Sequence, residues 1–194
     1  MSKSKRLGIV VDKERCIGCE ACSIACRIEN NSTLFWIKVE TEGNTDKDTP
    51  KGTFPDLTMN FIPKLCNHCE YPPCVDSCPV DAIQKREDGI VILEKELCNG
   101  CQACLNACPY NIIVFDENNG VAEKCNLCSH RIDQGLEPFC VICCEGQALH
   151  FGDLNDITSV VSKKISETTS FQLRSEEGTN PSIFYIPPKP KRNL

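Results

Sequence analysis

Aromatic residues make up only 6% of this 194-residue chain, with a single tryptophan and three tyrosines. Large apolar side chains are sparse too, so a conventional core would be thin for this length. No stretch approaches the ~20 apolar residues of a membrane span. The opening MSKSKRLGIVVD offers a short apolar run cut off by Asp12, too brief for a signal-peptide core, and adjacent arginines are absent. These absences predict a soluble chain that reaches a membrane only through a partner. Acidic residues outnumber basic ones, 27 to 21, for a net charge of −6. No basic face is evident, which argues against nucleic acid. The tail PPKPKRNL, with Lys189, Lys191 and Arg192, reads as a solvated extension. No catalytic triad, phosphate loop or nucleotide fingerprint occurs, so no independent catalysis is expected.

What the chain has instead is cysteine. There are seventeen, about nine per cent, a density at which cysteine decides the architecture. They fall into four sets: Cys16, Cys19, Cys22 and Cys26; Cys66, Cys69, Cys74 and Cys78; Cys98, Cys101, Cys104 and Cys108; and Cys125 and Cys128, resuming at Cys140. The first and third have the spacing C-x2-C-x2-C-x3-C. In bacterial two-cluster ferredoxins three such thiolates hold one cubane, and the fourth ligates the other. Zinc favours CxxC pairs joined by longer spacers, and four cysteines in eleven residues are cramped for that. An odd number of cysteines at x2 steps fits a disulfide scaffold poorly. No CxxC is followed by His, which removes c-type haem.

The gaps suggest which sets belong together. Between the second and third lies a legible hairpin, AIQKREDGIVIL, turning at Asp88-Gly89. A matching one, IIVFDENNGVAEK, follows the third set and turns at Asn118-Asn119-Gly120. Sets two and three then form one ferredoxin unit, and sets one and four pair around it. The expected ligand groups are group I, Cys16, Cys19, Cys22 and Cys144; group II, Cys66, Cys69, Cys74 and Cys108; group III, Cys78, Cys98, Cys101 and Cys104; and group IV, Cys26, Cys125, Cys128 and Cys140. Sixteen ligands make four [4Fe-4S] clusters, with no separate metal site expected. Cys143 is left over.

Laid out this way, the chain resembles the iron–sulfur subunit of the dimethyl sulfoxide reductase family of molybdopterin oxidoreductases, from about Arg6 to Pro187. The carriers are the four sets in order, CNHCEYPPC, REDGIV, KCNLC and HFGDLND. The FGDLND and GTNPSIFYI stretches look most like polysulfide, thiosulfate, tetrathionate and arsenate reductase subunits. The resemblance implies single-electron relay between a quinone-side or other donor and a molybdopterin-containing catalytic subunit, often with a membrane quinone-binding subunit. It also implies co-export with the partner to the extracytoplasmic side of a membrane, or a cytoplasmic place if that partner has no export signal. Relatives carry C-P at the end of set four, whereas here Cys144 is followed by Glu145, which leaves Cys143 a rival for the ligand position. A free-standing polyferredoxin serving soluble dehydrogenases is the alternative, and a redox or iron sensor fits sixteen closed ligands less well.

The expected fold is α+β: two bacterial-ferredoxin-like units of short helices and β-hairpins. An inner unit spans 57–120, and an outer unit combines 6–40 with 121–152. A polar insertion covers 41–56, and a C-terminal helix with an extended tail covers 153–194. LFWIKVE alternates as a strand would, and Trp36 reads as core rather than as a stacking residue. The helix is expected over 155–168, with Ile157, Val160, Val161 and Ile165 on one face and Asp153 or Asp156 as cap. His68, His130 and His150 read as sequence neighbours of cysteine rather than cluster partners. Arg27, Lys64 and Lys124 adjoin cysteines, where a cation would raise a cluster's potential or simply be a surface charge.

Overall fold

In the computed structural model, residues 4–43 and 48–189 are described; the end of the basic tail, with Lys191 and Arg192, and part of the insertion loop lie outside them. The chain begins with β1 (Leu7–Asp12), whose Ile9, Val10 and Val11 are fully buried. A strand with no exposed face must be central. It pairs antiparallel with β8 (Leu149–Asp153) on one side and parallel with β9 (Ile183–Ile186) on the other. Gly8 is required there, because a Cβ would stand 2.2 Å from the Ser182 carbonyl oxygen.

Helix α1 (Ala21–Glu29) follows the first cysteines. Next come β2 (Lys38–Thr41) and β3 (Phe61–Lys64), paired antiparallel across the insertion. The inner region starts with α2 (Pro73–Asp76) and the hairpin β4 (Ile83–Lys85) and β5 (Val91–Leu93), which turns through Gly89 at φ 86°. It ends with α3 (Ala103–Ala107) and the hairpin β6 (Val114–Asp116) and β7 (Val121–Glu123), turning through Gly120 at φ 67°. Both hairpins stand where the Asp-Gly and Asn-Gly signals put them. Then come α4 (Ser129–Ile132), α5 (Phe139–Ile142), β8, α6 (Val160–Glu167) and β9. Helix α2 packs on α3, and α1 packs on α5. The chain thus contains the same helix-pair arrangement twice.

Two expectations are corrected. The strand expected over LFWIKVE begins only at Lys38, because Trp36 and Ile37 are both buried and adjacent, which alternation forbids. Trp36 is core, as expected: its Nε1 donates to Glu123 at 2.9 Å. The helix expected from 155 starts at Val160. Ser159 is its cap, accepting from the Ser162 N–H at 3.2 Å, while Asp156 is engaged by Thr158 and Asp153 by the Arg6 and Asn155 N–H groups. Of its expected apolar face, Val161 is buried, but Ile157 and Val160 are exposed. The segment PSIFYIP, read as extended, supplies β9, with Ile183 and Tyr185 fully buried.

Candidate functional site

Each set of cysteines is built on one backbone device. The residue just before the second cysteine is left-handed in all four: Gly18 at φ 71°, His68 at 41°, Gly100 at 74° and Leu127 at 55°. That twist aims the N–H of the bend back at the first thiol. Leu127 N–H reaches Cys125 Sγ at 3.4 Å, and Gly18 N–H bonds Cys16. Glycine adopts this conformation freely, whereas His and Leu store strain of roughly 1–3 kcal/mol each. The third cysteine of each set then enters a short helix: Cys22 in α1, Cys74 in α2, Cys104 in α3 and Cys140 in α5.

The end of set four behaves like the others despite its missing proline. Three residues after the last cysteine, Gln147 is left-handed at φ 49°, as Asp81 is at 53° and Asn111 at 52°. Gln147 N–H returns to the Cys144 carbonyl at 2.8 Å. Arg15 Nε clamps the Gly146 carbonyl at 2.8 Å, and a Cβ on Gly146 would sit 2.3 Å from the Arg15 carbonyl oxygen. This lock fixes the turn that proline fixes elsewhere. It also counts the register from Cys144, to whose Sγ the Ala148 N–H donates at 3.2 Å.

Electrostatics show which thiols stand together. Burial pushes Cys22 up to about 12, and Cys16, Cys144 and Cys19 add to the rise, partly offset by a bond from Ser23. Burial raises Cys74 to about 12 with Cys66, Cys108 and Cys69 beside it, and Cys104 to about 11 with Cys98, Cys101 and Cys78. Cys140 is raised by burial and then by Cys128 and Cys26, and Cys125 by burial, Cys26, Cys66 and Cys140. These neighbours fall mostly along the expected groups, with Cys66 acting on Cys125 and Cys22 on Cys140 across them. Cys143 is half-buried at the end of α5 and is not among the neighbours that raise Cys16, Cys22 or Cys140.

Contacts between groups order them in a row. Cys22 of group I acts on both Cys26 and Cys140 of group IV, and Cys66 of group II acts on Cys125 of group IV. Helix α2, which holds Cys74 of group II, packs on α3, which holds Cys104 of group III. The order is I, IV, II, III. The two ends carry the exposed thiols, Cys19 and Cys101, while every cysteine of the middle groups is buried.

The residues fit iron–sulfur clusters on several grounds. All seventeen cysteines are free. Cys16, Cys19, Cys22 and Cys144 line one small pocket, and Cys66, Cys69, Cys74 and Cys108 line another. Among the described residues, no group of three or more His, Cys, Asp or Glu draws close enough to hold a single ion. Thiols this buried resist ionisation, and bound iron is what makes them thiolates. His68 Nε2 is buried beside cysteines without a protein hydrogen-bond partner. Asn30 Nδ2 lies 3.8 Å from Cys26 Sγ and 3.9 Å from Cys128 Sγ.

Of the histidines, His130 is exposed and pairs with Glu29 at 2.8 Å, and His150 lies half-buried in β8. His68 is wholly buried; burial, and then Lys124, hold its pKa far below the usual imidazole value. Its Nδ1 accepts from the Val91 N–H at 3.0 Å, so the ring proton sits on Nε2. Nothing in the sequence distinguished it from the other two.

Repeated cysteine loops, paired helices and thiol-lined cavities define a ferredoxin-like protein of the 4Fe-4S class. Residues 57–154 match the family described as "4Fe-4S dicluster domain". The chain is 45% identical to a putative dimethyl sulfoxide reductase iron–sulfur subunit of Halobacterium salinarum, over 92% of this chain and 78% of that protein. It is 36% identical to the arsenate respiratory reductase iron–sulfur subunit of a Shewanella species, covering 93% of this chain and 96% of the other. A polysulfide reductase component of Wolinella succinogenes is 38% identical, covering 96% of each. The chain belongs to the iron–sulfur subunits of the dimethyl sulfoxide reductase family, the electron-transfer rather than catalytic components of such reductases. Among the described residues, no helix is long and apolar enough to cross a membrane.

Proposed function

We propose that groups I to IV each hold one [4Fe-4S] cluster and that the chain conducts single electrons along that row to a molybdopterin-containing catalytic subunit. The observation carrying this reading is the row itself, buried in the middle and exposed only at Cys19 and Cys101. A bound cluster takes up and releases one electron without making or breaking substrate bonds. The chain's own part is to bury the thiols, fix their register through the left-handed bends and the Arg15–Gly146 lock, and donate N–H groups to sulfur. Such hydrogen bonds and burial are what set cluster potentials. Exposed apolar side chains adjoin cysteines of both end groups in the sequence, Ile17 beside Cys16, Val80 close to Cys78 and Leu97 beside Cys98, as expected where redox partners dock. One partner is the catalytic subunit; the other is a quinone-side donor, with a membrane quinone-binding subunit as its natural carrier. The chain would then work beside a membrane, extracytoplasmic if the catalytic partner is exported and draws it along.

Purification through a tag on this chain tests the reading. The expected result is a large subunit that copurifies with a fluorescent pterin and accepts electrons only while this chain is present. A fully loaded monomer that binds no such subunit would overturn it in favour of a free-standing carrier.

A further inference from the structure

The structure treats the cations Arg27, Lys64 and Lys124, each next to or near a cysteine in sequence, differently. Arg27 lies over the Phe35 ring, 4.5 Å from its centroid, and Lys64 pairs with Glu40 at the surface. Lys124 is 2% exposed. Its Nζ donates to the Val91 carbonyl of the inner hairpin and, at 3.1 Å, to the Cys125 carbonyl of the outer unit. No carboxylate among the described residues forms an ion pair with it. Carbonyl dipoles satisfy two of its three donors but bring no net charge. An ammonium buried in this way is unfavourable unless an anion stands near.

The surroundings contain donors in excess. His68, fully buried, has Nδ1 occupied by the Val91 N–H, so it offers Lys124 no acceptor, and its Nε2–H is itself without a protein partner. The same cation acts on Cys74 of group II and adjoins Cys125 of group IV. Lys124 thus stands at the junction of the two middle groups, where an anion is missing from the protein's own inventory. Thiolate-ligated clusters in those groups would supply it, since net cluster charge and its surroundings govern the potential.

Resting on the reading that groups II and IV hold clusters, we propose that Lys124 is a positioning charge for both: its buried ammonium raises their reduction potentials and makes the centre of the row the place where an electron rests. A nearby positive charge favours the reduced form, which carries one more negative charge. Removing it should move the end clusters of groups I and III less, because the contacts of Lys124 lie at the Val91 and Cys125 carbonyls and beside Cys74.

The test is a redox titration followed by electron paramagnetic resonance on the whole purified complex, with iron content measured alongside. Lys124→Gln and Lys124→Met should keep the iron content while one or two of the four reduction waves move to lower potential. At fixed ambient potential the reduced-to-oxidised ratio of those waves should fall about tenfold, equivalent to about 59 mV for one electron. Lys124→Arg should restore the wild-type potentials. Unchanged potentials in fully loaded neutral variants would overturn the proposal, as would an equal shift of all four waves. If the neutral variants do not load, Lys124→Arg decides: wild-type potentials in the loaded arginine protein support the role of charge, and lowered potentials overturn it. Absence of cluster signals from the wild-type protein would instead refute the underlying reading.

Discussion

The inner unit closes on itself locally: hairpins β4–β5 and β6–β7 fold within a few residues around sets two and three. The outer unit carries equivalent cysteine loops but has no such hairpin. Its first strand finds a partner only at β8, where Arg6 N–H meets Asp153 across 147 residues of chain, and is completed by β9 near the end. Loop-closure cost rises slowly with length, so the outer arrangement is feasible, but only if other contacts hold it. Residues 179–186 provide them. Ser182 bonds the Asn67 and His68 carbonyls beside set two, Thr179 bonds Tyr110, and Tyr185 OH reaches the Pro63 carbonyl at 3.0 Å. One strap therefore closes the outer sheet and covers the inner unit's first loop. Similar cysteine loops can rest on local or remote closure, and the remote version depends on the C-terminal strand.

Breaking the strap should produce the largest effect. Tyr185 is fully buried and stacks on Phe171, with ring centroids 5.8 Å apart. Tyr185→Ala should cost about 3–5 kcal/mol by the usual loss for a large buried ring. Hydrogen exchange should then show β1 and β8 opening before the inner hairpins. Simultaneous opening of both units would show that the inner one lacks independent closure.

The second comparison sets equivalent glycines against each other. A Cβ at Gly100 would meet the Gly120 carbonyl oxygen at 2.5 Å, while at Gly18 it would meet the Phe61 ring at 2.6 Å. Either alanine carries a left-handed penalty of about 1–2 kcal/mol, but backbone yields less than a ring. Thermal unfolding should therefore rank Gly100→Ala as the more damaging, and the opposite ranking would contradict these contacts.

Glu123 joins the halves. Although burial opposes ionisation, bonds from Lys95, Ser32 and Trp36 hold its carboxyl below the usual range. A depressed carboxyl contributes stability above its unfolded value, about 4.3, and loses it as pH falls through the folded value. Glu123→Gln should cost about 1–3 kcal/mol at pH 7 and flatten the acid limb of the stability profile; an unchanged limb would remove Glu123 as its source. The smallest effect is expected at Cys143. Cys143→Ser should keep every cluster signal and alter stability by less than about 0.5 kcal/mol, and loss of the group I signal would mean the register is displaced by one.

The cysteine spacing marked the four sets and the Asp-Gly and Asn-Gly turns the inner hairpins, because both depend on neighbours close in the chain. The outer sheet was not readable in this way: β9 pairs parallel with a strand at the opposite end, and PSIFYIP has no local signal naming its partner. Ile157 misled because a helical stripe does not reveal where a serine cap begins the helix. The missing proline after Cys144 left the ligand register open, and its replacement, a clamp from Arg15 to Gly146, appears only in three dimensions. Burial of Lys124 was equally hidden, since Arg27 and Lys64 look the same beside their cysteines.

The central claim is that four groups of four thiols each hold a cluster, and counting iron and acid-labile sulfide in the anaerobically purified complex tests it most directly. After subtraction of the catalytic subunit's share, about sixteen iron and sixteen sulfide per chain are expected from four [4Fe-4S] clusters. About eight of each, the content of a two-cluster protein, would contradict it.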